Sequence, residues 1–363
     1  RILPSISVQI DRLKGDEIRL VTQDNGPGIP RDAVEHVFGK FLLGSRFHAI
    51  RQTRGQQGIG ITGVVMYSQL TTGVKTKVTS KIASDSSAVF VDIGLDTRKN
   101  RAIKSREKRD VWFDDITGEV VEHGLRIEAR MKGKYQRGKQ SVFQYLRMTS
   151  IVNPHATISL VVRDRDGEVY EQGSWKRTTD KLPRVVEEIK PHPHGIQLGT
   201  LQRMLRESEE RKMTSFLRHN FSGVSMRAAK EILSLAEINE NRSPKRISTN
   251  DANGMLNGFQ NVKLLPPPTD CLSPIDDLLI KKGLSKAIDS RFAATVTRNP
   301  TVSQGNPFQI EVGLVFGGDL TADGPIEVLR FANRVPLMYQ QGGCALTKAI
   351  ESIDWKRYGL DQP

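Results

Sequence analysis

The stretch RGQQGIGITGVVMYSQL, residues 54–70, sets Gly55, Gly58 and Gly60 among polar residues and then runs directly into an apolar stretch of helical period. Bare backbone at the threshold of a helix presents N–H groups beside the positive end of the helix dipole, an arrangement suited to phosphate. The same pattern also serves as a plain loop before a helix. Upstream, QDNGPGIP (residues 23–30) closes a run that alternates in period two. An aspartate at a strand end, followed by two closely spaced glycines, holds a carboxylate in a tight pocket. Such a carboxylate accepts from an exocyclic amine, so Asp24 can read the N6 group of adenine while Gly26 and Gly28 let the base approach the backbone. The plain alternative is a surface Asp-Asn-Gly turn. Two other glycine-rich nucleotide signatures are excluded. There is no GxxxxGK[ST], and GQQGIG does not follow a strand in a βαβ unit.

At 363 residues the chain has room for two or three domains. Its 54 Lys and Arg against 41 Asp and Glu give a net charge of +13, which fits either a polyanion partner, most often nucleic acid, or a generally basic protein. Cys271 and Cys344 stand far apart with no metal-ligand spacing, the pattern of buried thiols in a reducing cytoplasm. No apolar run reaches the roughly 18–20 residues that span a bilayer, and no leader pattern is present. The chain opens on Arg1 without an initiator Met and is expected to be a fragment.

Along the chain, SISVQIDRL and EIRLVTQDN read as an antiparallel hairpin around KGD. A helix is expected near residues 31–40 and another from about residue 58 to 70. KTKVTSKI, SAVFVDIGLD, GLRIEARM and HATISLVVRD read as strands and KQSVFQYLRMTSIVN as a helix. Together they imply an α/β sandwich with helices on one face of a mixed sheet. KLPRVVEEIKPHPHGI reads as a linker, followed by an almost wholly helical stretch. After PPPTDCLSPI (266–275) come the helix DDLLIKKGLSKAI, the strands FQIEVGLVFGG and IEVLRFANRVPL, and the helix CALTKAIESI. Two basic stretches, residues 97–110 and 132–140, fit solvated loops or contacts to DNA phosphates, and Tyr135 fits packing better than base stacking.

The order of DNGPGIP, a helix, and then GSRFHAIRQTRGQQGIGI resembles the Bergerat-type ATP site. Type II topoisomerases, mismatch-repair ATPases, ninety-kilodalton chaperones and histidine kinases share that fold. FHAIRQTRGQQGIGITGVVMYSQLTTG, YQRGKQSVFQYLRMTSIVNPHATI, LLPPPTDCLSPI, FANRVPLMYQQGGCALTKAI and DWKRY together resemble the B subunits of archaeal-type type IIB DNA topoisomerases, over the length Arg1 to Pro363. The resemblance implies a multidomain α/β chain. Its expected parts are a Bergerat-type ATPase sandwich (1–175), a small helix-two-turn-helix domain (176–255) and a ribosomal-S5-like transducer (256–363).

By motif, the resemblance makes Asp24 the adenine reader, with Gly26 and Gly28 shaping its pocket. Ser45 and Arg46 stand where the family has a Ser-Lys pair near the nucleotide. Gly55, Gln56, Gln57, Gly58, Ile59, Gly60, Ile61 and Thr62 form the lid over the phosphates. ATP and Mg²⁺ are the implied cofactors. The family's general-base Glu and its Mg²⁺-binding Asn, spaced by four residues on one helix face, are expected upstream of Arg1. This fragment alone is therefore not expected to hydrolyse ATP. The phosphate-sensing lysine of the family lies beyond the WKRY stretch, which leaves Lys356 a DNA-contacting or structural role. Leu125 replaces a Thr that the family tends to carry after HG.

The implied partners are the family's DNA-cleaving A subunit, together with a second copy of the chain in an A2B2 heterotetramer, and double-stranded DNA. The implied setting is the cytoplasm at the nucleoid, with no membrane. Arg203, Arg206, Arg211, Lys212 and Arg218 form the densest helical basic cluster and, with Lys356, are the DNA-contact candidates. The implied activity is ATP-driven clamping of a second duplex, coupled to double-strand cleavage and strand passage in the A subunit. The alternatives are a non-catalytic scaffold for a cleaving partner and a mismatch-repair-type clamp ATPase.

Overall fold

In the computed structural model, which describes residues 2–41, 50–55, 58–115, 117–321, 326–339 and 341–359, the two alternating segments form β1 (Ser5–Arg12) and β2 (Glu17–Asp24). They pair antiparallel, with Ile6 opposite Asp24 and Arg12 opposite Ile18. Six more strands complete one sheet: β3 (Thr76–Lys81), β4 (Ala88–Asp96), β5 (Arg101–Asp110), β6 (Gly124–Lys132), β7 (Thr157–Arg163) and β8 (Val169–Trp175). Their order is β5-β4-β3-β6-β2-β1-β7-β8, and only β1 and β7 run parallel.

Period-two alternation divides this sheet into two chemical faces. On one, Val78, Val91 and Ile93 pack against α1 (Arg31–Gly39) and α2 (Gly60–Thr72), with Val34, Phe38 and Val65 between them. Farther along the same face, Val8, Ile10, Ile158, Leu160 and Val162 meet α3 (Val142–Val152) through Leu146. Each fully buried side chain of this size contributes about 1.5–3 kcal/mol. The other face carries charge, where Arg19 bridges Asp11 at 2.9 Å and Glu128 at 2.7 Å. By register, Asp24 lies opposite Leu125 of β6, on the helix-covered face.

The basic run at 97–110 differs from the loop reading, because residues 101–110 are the edge strand β5. An edge strand exposes much of its surface, so a polar sequence rich in Arg and Lys suits it and opposes pairing with other chains. Its charges are also used: Lys104 meets Glu107 at 2.7 Å and Glu35 of α1 at 3.6 Å, and Arg31 pairs with Glu107. Tyr135 is packed, edge-on to Tyr170 and hydrogen-bonded to Glu171.

A second core belongs to α4 (Leu198–Glu207), α5 (Met213–Asn220), α6 (Met226–Leu235) and α7 (Thr249–Asn261). Leu201, Phe216, Leu217, Ile232, Met255 and Phe259 form it, and it continues to Val262, past the residue-255 boundary expected from sequence. The remainder holds α8 (Asp277–Ala287), β9 (Phe292–Thr297), β10 (Thr301–Ser303), β11 (Asn306–Phe308), β12 (Glu311–Phe316), β13 (Phe331–Ala332), β14 (Val335–Pro336) and α9 (Ala345–Glu351). β9 and β12 form an antiparallel pair. IEVLRFANRVPL, expected as one strand, contains only the two-residue strands β13 and β14, because Asn333 and Arg334 take left-handed backbone and turn the chain back.

The sheet unit and this last part meet where α3 packs on α8 through Ile151, Val152, Leu279, Ile280 and Leu284. Gly283 makes the approach possible, since a Cβ there would lie 1.9 Å from the Ile151 carbonyl oxygen. Gly283→Ala must push the two helices apart, and a cost of about 1–3 kcal/mol is expected. Gly199→Ala is its control, because a Cβ on Gly199 of α4 meets nothing within 4 Å. Thermal melts should show a lowered midpoint for Gly283→Ala only; equal midpoints would contradict this packing.

Candidate functional site

The loop after β2 is seated by close approaches that exclude any side chain. Gly28 has φ +72°, and a Cβ on it would lie 2.1 Å from the Lys81 carbonyl oxygen at the end of β3. Gly124, at φ +151°, opens β6, and a Cβ there would lie 2.3 Å from the Asp24 carbonyl oxygen. Ser80 fixes the loop's far end: its Oγ accepts from the Ile29 N–H at 2.7 Å and donates to the Ile29 carbonyl at 2.9 Å. Asn25 fixes the near end, where its Oδ1 accepts from the Ser5 N–H at 2.8 Å and its Nδ2 donates to the Leu3 carbonyl at 3.1 Å. The Gly26 carbonyl faces His123 Nδ1 at 2.9 Å.

This seating leaves Asp24 half-buried at the strand end, with its Oδ1 accepting the Gly26 N–H at 2.8 Å. Burial pushes the carboxyl above its ordinary value, while the backbone amides of Gly26 and Leu125 pull it back. The Leu125 side chain joins the apolar cluster around Phe38, so a hydroxyl is missing here but the backbone amide still serves Asp24. Gly26 and Gly28 were both legible in the sequence. Gly124 and Ser80 were not, because their requirement arises only once β6 and β3 lie beside β2.

The glycine loop lies at the start of α2. Gly58 takes φ +63°, and α2 begins at Gly60 with no side-chain cap. Among the described residues the first donor of this helix is the Gly63 N–H, to the Ile59 carbonyl at 2.8 Å, and the amides of the turn before it point along the axis toward the N-terminal end. Their side chains do other work. Ile61 packs against the core, and Thr62 is buried with its Oγ1 donating to the Lys40 carbonyl at 3.2 Å. Thr53, Arg54, Gly55, Gly58, Ile59, Gly60 and Asn333 line a pocket of about 400 Å³. Ser45, Arg46, Gln56 and Gln57 lie outside the described residues.

Positive charge collects beside this pocket. Arg334 is buried, with its guanidinium donating to the carbonyls of Ser273 at 3.1 Å and Pro274 at 3.0 Å. Burial, and then the neighbouring Arg54, bring its pKa down to about 10. His155 is buried too, and burial followed by Arg334, Arg54 and Lys286 lowers it to about 4.

The basic candidates fall elsewhere. Arg206, Arg211, Lys212 and Arg218 are exposed along α4, its connection and α5, interspersed with exposed Glu207 and Glu209, while Arg203 is partly buried. Lys356 is exposed in a single turn at Trp355–Tyr358, apart from them in the chain. Among the described residues, no group of three or more His, Cys, Asp or Glu side chains is placed to hold a metal ion. No helix among them is long and apolar enough to cross a membrane.

His155 gives the stability of the chain a pH dependence. The folded state holds it neutral down to about 4, whereas an unfolded histidine takes up its proton near 6.5, so protons favour unfolding as pH falls between those values. A loss on the order of 1–2 kcal/mol is expected from this group between pH 7 and pH 5. Urea titrations at the two pH values should show that loss in the wild type and a smaller one in His155→Leu. Equal losses would contradict the assignment.

Two family profiles match the chain. The "Histidine kinase-, DNA gyrase B-, and HSP90-like ATPase" profile covers residues 3–97, and "Topoisomerase VI B subunit, transducer" covers residues 267–363. The chain is 46% identical over its whole length to the B subunit of type 2 DNA topoisomerase 6 from Methanococcoides burtonii, and spans 56% of that protein. With the same protein of Thermococcus gammatolerans it is 35% identical, over 99% of this chain and 70% of that one. Among solved structures, the Aquifex aeolicus MutL ATPase domain complexed with ADP is similar at a TM-score of 0.28 and 15% identity, over 48% of this chain and 57% of that one.

Proposed function

The chain belongs to the family of type 2 DNA topoisomerase 6 B subunits, and on that footing we propose that its eight-stranded unit is an ATP site that drives DNA strand passage by a partner protein. The observation that carries the reading is the half-buried Asp24 carboxyl at the end of β2, in a loop that Gly28 and Gly124 seat against the neighbouring strand ends more closely than any side chain allows. A carboxylate accepts hydrogen bonds at both oxygens and donates none, which leaves Asp24 able to accept from the N6 amine of adenine beside the Gly26 and Leu125 amides. At Gly26 a Cβ would stand 2.8 Å from Asp24 Oδ1, so glycine there keeps the space beside the carboxyl clear.

In this reading Asp24 accepts from the adenine amine and fixes the base. The backbone amides of Gly55, Gly58, Ile59, Gly60, Ile61 and Thr62, with Gln56 and Gln57, hold the phosphates at the uncapped start of α2, and Ser45 and Arg46 stand by the nucleotide. Mg²⁺, when bound with the nucleotide, would supply positive charge to offset the phosphates. The site binds nucleotide better when two copies are closed on each other, so nucleotide shifts the population toward the closed dimer. Two copies thus clamp a second duplex, and residues 267–363 pass the closure to the A subunit, which cuts the first duplex, in an A2B2 assembly. Arg203, Arg206, Arg211, Lys212, Arg218 and Lys356 contact DNA phosphates without reading bases, as a grip on crossing duplexes requires. The work is placed at the nucleoid, in the cytoplasm.

Asp24→Ala tests the reading in the full-length protein paired with its DNA-cleaving partner. Losing a hydrogen bond to a charged group costs about 1.5–3 kcal/mol, so ATP affinity should fall roughly 10- to 100-fold. ATP-dependent strand passage should vanish. Strand passage at the wild-type level would overturn the ATP-site reading, and undiminished stimulation of cleavage without nucleotide would favour a scaffold.

A further inference from the structure

Residues 50–54 carry the chain into the glycine loop, yet they belong to no strand of the large sheet. Their partners lie in segments far along the sequence. The Ile50 carbonyl accepts from the Ile189 N–H at 3.1 Å, and the Gln52 N–H donates to the Cys271 carbonyl at 2.8 Å. Gln52 Oε1 accepts from the Ser273 N–H at 2.7 Å. The Thr53 carbonyl accepts from Asn333 Nδ2 at 3.2 Å. Glu187 N–H to the Asp270 carbonyl at 3.0 Å ties the same linker to the same segment.

Ser273 is the node of this junction. Its N–H holds Gln52, and its carbonyl holds the buried Arg334 guanidinium. Arg334 and Asn333 form the tip of the β13–β14 turn, both in left-handed backbone, so the tip is held at Ser273 by one residue and at Thr53 by the next. Four of the junction's hydrogen bonds fall on residues 50–53, immediately before the pocket-lining Arg54, so a shift at the pocket is transmitted to them along a short stretch of chain. The electrostatics give the coupling a direction. Arg54 and Asn333 line one pocket, and Arg54 and Arg334 repel each other beside it. Negative charge in that pocket would relieve the repulsion and so favour the contact that the 50–54 segment makes with the β13–β14 tip.

We propose that residues 50–54 are a tether that couples the nucleotide pocket to residues 267–363, with Gln52 as its positioning residue. The proposal rests on the ATP-site reading above and adds to it a route that residues 24–62 alone do not supply.

The test uses the full-length protein in complex with its DNA-cleaving partner, and two substitutions that separate packing from hydrogen bonding. Gln52→Met keeps the side-chain volume and loses the acceptor; Gln52→Glu keeps the acceptor. Three quantities are read: affinity for a non-hydrolysable ATP analogue, strand passage, and nucleotide-dependent hydrogen-exchange protection of amides 271–275 and 331–337. Gln52→Met should bind the analogue within threefold of wild type, lose at least tenfold in strand passage, and lose the protection response, while Gln52→Glu restores both. Wild-type passage and protection in Gln52→Met would overturn the tether, as would a parallel loss of affinity, which would make Gln52 part of the binding site. If Gln52→Met fails to fold, Asn333→Ala takes its place for passage and protection, and wild-type values of both would overturn the tether. Absence of analogue binding by the wild type would overturn the ATP-site reading and the tether with it.

Discussion

The seating of the loop after β2 is the constraint on which the rest of the site depends. Gly28 against the Lys81 carbonyl and Gly124 against the Asp24 carbonyl bring three strand ends closer than any side chain allows. Once they meet, Ser80 and Asn25 satisfy the loop's backbone, and Asp24 is left half-buried at the strand end with the amides of Gly26 and Leu125 as its partners. Removing water from a carboxylate is costly, and burial raises the Asp24 carboxyl above its ordinary value, so a donor that pairs with it offsets that cost.

Around this point the sheet supplies a rigid frame. Asp24 sits in register with Ile6 and Leu125, so the hydrophobic face beneath α1 and α2 runs up to the carboxyl and stops there. α2 lies on the same face and begins at the glycine loop, which places its first amides at the end of an element that the core holds through Val65 and Ile61. Asp24 and the first amides of α2 thus belong to elements packed into one core.

Much of this was legible in the sequence, for identifiable reasons. β1, β2 and β6 alternate cleanly because one of their faces is buried, and α4 to α7 show helical period because they share a core. Asp24, Gly26 and Gly28 stood out because a strand-end carboxylate and close glycines are local signals. The strand β5 was hidden because an edge strand need not alternate, and its lysines and arginines read as a loop. The requirement for Gly124 was hidden because it comes from β2 across the sheet. The Gln52–Ser273 and Thr53–Asn333 contacts join residues 221 and 280 positions apart, and no periodicity reports such a pairing.

The central claim is that Asp24 reads the amine of adenine. The direct measurement compares the affinities of the full-length protein for ATP and ITP, whose bases differ in carrying an N6 amine or an O6 carbonyl at the position facing the carboxylate. A carboxylate that must face a carbonyl loses its hydrogen bond and meets a second acceptor, so ATP should bind at least about tenfold more tightly than ITP. Equal affinity for the two nucleotides would contradict the account.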